Sequence, residues 1–355
     1  MKNKILLFKS HIYLIIFVLT LFKIFFSTSI SFAESFDIKN IEISNKFNMN
    51  FQKKDVIDEG FKIAFQRLII KITKSKDQNK LDNYPLSNIK TTIDSFSIKQ
   101  EKFIDNIYYV NIDVSFNKKK IFSILEKKNI FPSQPKRKKV LYIPLLIDEE
   151  QKDIILFSEN IFFKNWLINQ NDKNQLIYIL PSEDLDDIDL IKSKYASIEE
   201  YDFREIVNKY SLESYIISLI YKNKNDLRVL SKIKFAQGMV LDNQIFENFN
   251  KEDLSKVIMH LKNIYEDRWK EENQINTSIK LPLTIAINVT DDKKIKFFEE
   301  TIEKFDLVSA FYVSRLDNEQ IYYKVIFNGA PKLFISEMQK FGHKLDIKNK
   351  TWILK

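Results

Sequence analysis

The pattern of apolar and polar positions over residues 34–130 predicts a small α+β module. Residues Phe36 to Ser44 alternate as a strand, and a helix is expected after Pro85. The segment from Ile107 to Phe116 alternates again, which predicts a strand with one apolar face. A short helix from Lys119 to Lys128 closes the module. The clearest element is a helix from Lys53 to Ile72, whose apolar stripe contains Ile57, Phe61, Ala64, Phe65, Leu68 and Ile72.

A second module is predicted over residues 140–272, after a linker at residues 131–139 that contains two prolines and four consecutive cations. It opens with a nearly all-apolar strand, Val140 to Ile147, which is typical of a strand buried on both faces. The order strand, helix, strand that follows predicts a parallel strand pair. The later elements are a helix at Ile161–Asn169, a strand at Leu176–Leu180, a helix at Ser197–Tyr210, a meander of strands at Ser214–Tyr221, Leu227–Phe235 and Met239–Phe246, and a helix at Glu252–Lys270.

The third module, residues 281–355, gives the most regular pattern. Strand alternation from Leu283 to Val289 is followed by a helical stripe from Ile295 to Phe305 and by two strands, Val308–Arg315 and Gln320–Phe327. A helix then begins at Pro331 and ends at Gly342, and a last strand is expected from Lys344 to Leu354. The order β-α-β-β-α-β predicts a ferredoxin-like sandwich, so the fold class expected for the whole chain is α+β with three small modules.

The first 33 residues have the features of a secretory signal peptide. Lysines precede an apolar run from Ile12 to Phe22, and Ser31-Phe32-Ala33 provides small residues before a cleavage site between Ala33 and Glu34. Lys23 interrupts the apolar stretch, which is shorter than the roughly 20 apolar residues of a spanning helix. Export to the periplasm or cell envelope is therefore expected. Retention of residues 12–30 as an inner-membrane anchor is the alternative.

Composition changes this interpretation in two ways. The formal charge of +8 is partly due to the leader, since its four lysines leave 52 basic and 48 acidic side chains, a net charge of +4, in the rest of the chain. The chain contains no cysteine, which excludes disulfides, thiol nucleophiles and cysteine-ligated metals. Stability must therefore come from burial of the core.

Few residues are candidates for chemistry. His260 and His343 are the histidines that follow the leader, neither has a second histidine at ligand spacing, and we expect both at the surface or its boundary. The acidic segment from Glu183 to Asp189 could hold Ca²⁺, but Ile188, Asp189 and Tyr195 break the EF-hand pattern, which favours a solvated loop. The cations Lys136 to Lys139 are interpreted as a hydrated linker rather than a lipid-binding cluster. We therefore predict no catalytic, metal or cofactor site.

Nucleic acid and nucleotide phosphates are not expected as ligands. The strand Ile321 to Phe327 lacks the glycines and the basic lead of an RNA-recognition motif. The four glycines, Gly60, Gly238, Gly329 and Gly342, lie far apart, so they cannot form a phosphate-binding loop.

Four features along the chain resemble a known family. They are an exported start followed by a strand, the segment Arg67-Leu68 to Thr73 at the end of the first helix, a strand ending at Phe116 before a leucine-containing helix, and a basic-proline linker opening onto the strand that ends at Ile147. In this order the chain resembles the proteobacterial exported domain-of-unknown-function family numbered two thousand and sixty-six. That family implies no activity and no catalytic residues.

The sequence therefore favours a non-enzymatic envelope protein that binds or scaffolds other envelope proteins, without nucleic acid and without a cofactor. Membrane contact is expected only through an uncleaved leader. Two alternatives stay open: a periplasmic hydrolase whose carboxylates converge only in the folded chain, and a membrane-tethered adaptor that keeps its leader.

Overall fold

The computed structural model describes residues 36–168, 174–276, 279–305 and 307–355. The predicted leader, its cleavage site at Ala33 and Glu34, and the alternative anchor at residues 12–30 lie outside these residues. The described chain is a mixed α+β structure with sheets of three, six and five strands, which confirms the predicted α+β class. Within it, no helix combines the length and the apolar character needed to cross a membrane.

The first sheet is antiparallel in the order β1-β3-β2. Its strands are β1 (Asp37–Lys46), β2 (Ile93–Ile104) and β3 (Ile107–Phe116). The predicted helix, α1 (Lys53–Ile72), covers one face with the expected stripe. It approaches the sheet closely at Gly60, where an added Cβ would lie 2.7 Å from Ile112 Cδ1. The alternation predicted for β3 is confirmed, since its buried residues are Tyr108, Val110, Ile112, Val114 and Phe116.

Short helices complete this module. They are α2 (Ser75–Gln78), a 3-10 turn at Asn79–Leu81, α3 (Leu86–Thr91) after Pro85, and α4 (Lys118–Lys127). The side chain of Asn117 caps α4 by accepting a hydrogen bond from the backbone N–H of Lys120. Strand β2 was not predicted, because its residues beyond Ile93 are all exposed and show no buried alternation.

The middle sheet has the order β5-β4-β7-β8-β9, and β6 pairs with the first half of β4. The strands are β4 (Lys138–Asp148), β5 (Asp153–Ile155), β6 (Leu176–Ile179), β7 (Tyr215–Asn223), β8 (Asp226–Phe235) and β9 (Gly238–Phe246). The predicted parallel pair is confirmed, since β4 runs parallel to β6 and β7. Strand β4 is buried on both faces because helices cover the sheet on each side.

Two predictions for the middle module are wrong. The helices that pack on one face of the sheet are α5 (Ile161–Trp166) and α8 (Leu254–Glu272), and those on the other face are α6 (Leu185–Ser193) and α7 (Arg204–Asn208). Helix α6 therefore occupies much of the acidic segment expected to be a loop. The expected helix Ser197–Tyr210 is interrupted at Phe203, whose φ of 57° lies in the left-handed region, and only α7 is helical there.

The third sheet has the order β11-β12-β10-β14-β13. Its elements in chain order are β10 (Leu281–Asn288), α9 (Asp292–Lys304), β11 (Val308–Leu316), β12 (Gln320–Phe327), α10 (Pro331–Lys340), β13 (Leu345–Asp346) and β14 (Thr351–Leu354). The predicted last strand is divided into β13 and β14. The Asp346 side chain accepts a hydrogen bond from the backbone N–H of Lys348, which starts the intervening turn.

The predicted linker is packed against the end of α8. The backbone N–H of Ile275 donates to the carbonyl of Pro132 over 2.7 Å, and Ser133 forms a β-bridge with Gln274. Ser133 is buried, and Lys138 and Lys139 already belong to β4. The modules on either side of this segment are therefore connected through ordered backbone.

Candidate binding face on the first sheet

The acidic segment has a structural explanation. Asp184 caps α6 by accepting from the backbone N–H of Asp186, and the helix dipole favours acids at this end. Lys209 Nζ lies 2.8 Å from Asp184 Oδ2 and 2.7 Å from Asp187 Oδ1. The hydrogen bond from Lys209 lowers the pKa of Asp184. Across the residues that the structure describes, no group of three or more His, Cys, Asp or Glu is arranged to hold a metal ion.

The two histidines lie in different surroundings. His260 is exposed, as expected, and its nearest polar contact is Gln244 Oε1 at 3.5 Å. His343 is buried, contrary to expectation: its ring contacts the ring of Phe297, and its Nε2 lies 3.0 Å from Thr301 Oγ1. Burial lowers the pKa of His343. These contacts hold α9 to the segment after α10, which indicates a structural role.

A cleft with a volume of about 410 Å³ lies on the outer face of the first sheet, opposite α1. Because successive side chains of a strand point to opposite faces, the buried positions of β3 leave Tyr109 and Asn111 pointing outward. The polar side chains that line the cleft come from all three strands and are Glu42, Ser44, Gln100, Lys102, Tyr109 and Asn111.

The strand register brings these side chains into two rows across the sheet. Asn111 of β3 lies between Glu42 of β1 and Gln100 of β2. Tyr109 lies in the same way between Ser44 and Lys102. Directly opposite residues of neighbouring strands have Cβ atoms about 5 Å apart, so each row forms a continuous polar strip.

One atom in the cleft lacks a hydrogen-bond partner. The Oδ1 atom of Asn111 is buried, and no group of the described chain donates a hydrogen bond to it. Buried polar atoms are nearly always hydrogen-bonded to protein or water, and leaving one unpaired costs about 1–3 kcal/mol. Asn111 is therefore a position in the cleft where a hydrogen-bond donor from a ligand or from water would be favourable.

An apolar patch of four exposed residues, Phe47, Met49, Phe103 and Ile104, lies at one end of the first sheet. Ile104 lines the cleft, whereas Phe103 pairs with Tyr108 and therefore points to the α1 side of the sheet. The rings of Phe47 and Phe103 meet edge to face with their centroids 5.3 Å apart. Beside the patch, Lys53 Nζ lies 2.8 Å from Glu101 Oε1. The hydrogen bond from Lys53 lowers the pKa of Glu101, so this carboxylate is ionised and paired at neutral pH.

The polar groups of this face can form hydrogen bonds with a ligand. Its polar groups are one carboxylate, one ammonium, two amides and two hydroxyls, which can donate and accept hydrogen bonds. Glu42 is the one carboxylate among the side chains that line the cleft, and paired-carboxylate hydrolysis needs two. Nothing in the sequence marked this site, because its residues come from three distant segments and form no local motif.

Comparison with protein-family models gives no match, and no curated protein matches the chain. The resemblance noted in the sequence stays a prediction.

Proposed function

We propose that this chain is a non-enzymatic binding protein of the cell envelope that holds a partner protein on the outer face and the adjoining end of its first sheet. The observation that carries the proposal is the polar cleft lined by two rows of side chains from β1, β2 and β3. The partner provides hydrogen-bond donors and acceptors to these rows. One such donor pairs with the unpartnered Oδ1 atom of Asn111.

The patch beside the cleft explains why the ligand is proposed to be a protein. Specific protein interfaces combine a core of aromatic and methionine side chains with a polar rim. Phe47, Met49 and Phe103 at the end of the sheet provide the first. Lys102 and Gln100 on the outer face and the Lys53–Glu101 pair on the α1 side provide the second, so the partner is proposed to fold around this end of the sheet. A small polar metabolite would use the cleft and leave these apolar side chains exposed.

The location in the envelope rests on the leader, which we propose is cleaved between Ala33 and Glu34. Membership of the exported family that the sequence resembles is part of the same proposal. The third module is proposed to be a ferredoxin-like sandwich, and its order of β11, β12, β10 and β14, that is second, third, first and fourth strand, supports this.

In-cell photo-crosslinking tests the binding face. A photo-reactive amino acid replaces Met49, the most exposed side chain of the patch, in the full chain. The matched control carries it at Leu185, an exposed apolar residue of α6 in the middle module. Crosslinked partners are identified by mass spectrometry, which also gives the mature N-terminus of the protein.

We expect one or a few envelope proteins to be captured from position 49 and not from position 185. Substitution of Asn111 by Ala in the photo-reactive chain should reduce the yield, since it removes the unpartnered acceptor. A mature protein that begins at Glu34 supports export with cleavage, and retention of residues 1–33 would instead favour the tethered adaptor. The same proteins at both positions, or cytoplasmic proteins alone, would contradict the proposal.

A further inference from the structure

Two exposed sheet edges of the chain differ in their charge. Strand β2, at the edge of the first sheet, contains Asp94, Lys99, Glu101 and Lys102, and charges of this kind are how proteins prevent edge-to-edge pairing. Strand β11 lies at the edge of the third sheet, and its residues 308–314 are uncharged. Aromatic and β-branched residues without charge are the composition that favours pairing with another strand.

The side chains of β11 are sorted by its pairing with β12. Val308, Phe311, Val313 and Leu316 lie opposite residues of β12 that face the helices, and Tyr312 lies opposite Lys324 on the other face. Although β11 is paired on one side, Tyr312 is 55% exposed, Val313 47% and Leu316 61%. A row of apolar side chains is thus present at the sheet edge.

Two bulges interrupt the β11–β12 ladder, and serine hydroxyls compensate for them. The extra residues are Ser309 and Ser314, between Val308 and Ala310 and between Val313 and Arg315. Ser309 Oγ donates to the carbonyl of Ile326 over 3.2 Å, and Ser314 Oγ donates to that of Tyr322 over 3.1 Å. These hydroxyls therefore point toward β12, away from the outer edge.

The cation nearest this edge is also turned away from it. The guanidinium of Arg315 lies 3.8 Å from the centroid of the Tyr322 ring on β12, and it lies 3.5 Å from a carboxylate oxygen of Asp317. Stacking over the neighbouring strand keeps the charge within its own sheet. The part of the edge centred on Tyr312 stays apolar.

We propose that two copies of the chain pair through β11 as antiparallel strands around a two-fold axis at Tyr312, which joins their third sheets into one sheet of ten strands. In this register Tyr312 lies opposite Tyr312 of the second copy. Phe311 lies opposite Val313, and Val308 opposite Leu316, so all four helix-facing residues pair with helix-facing residues.

The register follows from the pattern of faces. A shift of one residue would place Phe311, which faces the helices, opposite Tyr312, which faces the other way. The helix-covered faces of the two sheets would then lie on opposite sides of the joined sheet. A shift of two residues in the same direction would place Val313 opposite the bulged Ser309. The self-complementary sequence thus favours a second copy over an unrelated strand as the occupant of this edge.

The absence of cysteine from the sequence allows a direct test with the purified full chain. In the proposed register, the two Cα atoms of residue 312 are about 4.5–5.5 Å apart, which suits a disulfide. Tyr312→Cys should therefore form a covalent dimer under mild oxidation. The control is Ala310→Cys, because two residues at position 310 would be offset by four positions, or about 13 Å.

Sedimentation equilibrium tests the unmodified interface. The unaltered chain should be a dimer at micromolar concentration, and Val313→Lys should raise the dissociation constant at least ~10-fold by placing an unpaired ammonium at the strand pair. Leu241→Lys, at an exposed apolar position of β9, is the matched control and should leave the constant unchanged.

Three outcomes would overturn the inference. They are a monomer at all concentrations up to about 100 µM, a disulfide dimer from position 310 instead of 312, and loss of the dimer in the Leu241 variant alone. A different protein bound at this edge of an otherwise monomeric chain would count against it as well. The inference does not depend on the proposed function, since β11 and the binding face belong to different sheets.

Discussion

The end of helix α1 is held by donors from the middle module, and one of them, Lys270, allows a quantitative prediction. The last carbonyl groups of a helix have no partner within the helix. Here the carbonyl of Ile70 accepts from Lys270 Nζ over 2.7 Å, that of Lys71 from the side-chain amide of Gln175, and that of Ile72 from the backbone N–H of Ser133 over 2.7 Å. This joint connects the first two modules.

Lys270 is only 5% exposed and shares its buried environment with Glu266. The Glu266 carboxylate accepts from the backbone N–H groups of Gln175, over 3.1 Å, and Leu176, over 2.8 Å. Burial lowers the pKa of Lys270 and raises the pKa of Glu266, and the attraction between the two charges opposes both shifts. Each charged group therefore stabilises the other in a region of low dielectric constant.

Lys270→Met keeps the apolar stem and removes the ammonium group. It leaves the carbonyl of Ile70 without a partner, at a cost of about 1–3 kcal/mol. It also removes the buried ammonium that faces the Glu266 carboxylate, and breaking such a buried pair typically costs about 3–5 kcal/mol. The cost of burying the ammonium itself disappears, which offsets part of this loss. Glu266 keeps its two backbone donors, so we expect a net loss of about 2–4 kcal/mol at neutral pH.

Urea denaturation, followed by far-UV circular dichroism, measures this loss as a change in the free energy of unfolding. The control is Lys256→Met on the same helix, since Lys256 is 82% exposed and its pair with Asp253 lies at the surface. Such pairs contribute about 0–1 kcal/mol. Hydrogen exchange should also show faster opening of the last turn of α1 in the Lys270 variant.

The sign of the pH dependence follows from Glu266. A carboxyl whose pKa is raised in the folded state binds more protons there, so stability falls as pH rises from about 4.5 through the folded pKa. Loss of the Lys270 ammonium raises that pKa further and makes the fall steeper. The difference in the free energy of unfolding between the Lys270→Met variant and the unaltered chain should therefore become smaller as pH is lowered toward 4.5. A loss equal to that of Lys256→Met at every pH would refute the reasoning.

Three further changes test single contacts by denaturation. Tyr265→Phe removes a buried hydroxyl that lies 2.7 Å from both Ser218 Oγ and Ser231 Oγ, and should cost about 1–2 kcal/mol; no change would mean that the serines pair equally well without it. His343 has a lowered pKa, so the stability that its neutral form provides should be lost as pH falls below 6.5 through the folded pKa, and His343→Gln should remove this dependence. Gly342→Ala should cost about 1 kcal/mol because φ is +85°, and a stabilised variant would contradict that reason.

Elements that bury one face could be predicted closely. The bounds Lys53–Ile72 of α1 match the prediction, because nine turn-spaced residues of this helix are buried against the sheet. The alternation of β3 was equally clear, since its inward side chains all belong to the core. In both cases one set of side chains determines both the pattern and the packing.

Strand β2 could not be predicted for a physical reason. It is an edge strand that extends past the helix, so its apolar side chains are not buried. The bulge between Ile98 and Gln100 also shifts the alternation by one residue, and Phe96 and Phe103 consequently face the same side although they are an odd number of positions apart. The cleft could not be predicted either, because Gln100 and Lys102 of this strand form part of its lining.

The error at Ser197–Tyr210 has a different cause. Ile198, Phe203, Ile206 and Val207 are all buried, and their spacing is compatible with a helix. Burial alone does not require one, however, and the left-handed backbone at Phe203 lets the helix begin only at Arg204, so Ile198 is buried outside it. A periodic pattern thus predicts which residues are buried more reliably than it predicts the backbone conformation of those residues.

The two proposed interfaces can be separated because the two sheet edges are built differently. Strand β2 presents apolar side chains beside charges and bulges, which oppose strand addition but leave the adjoining face available for a partner. Strand β11 presents an uncharged, self-complementary sequence, which favours pairing through the backbone. Phe103→Glu should therefore abolish partner capture from position 49 and keep the dimer, and Val313→Lys should do the reverse. A single variant that abolished both would mean that the two surfaces are coupled, and that partner binding requires the paired form.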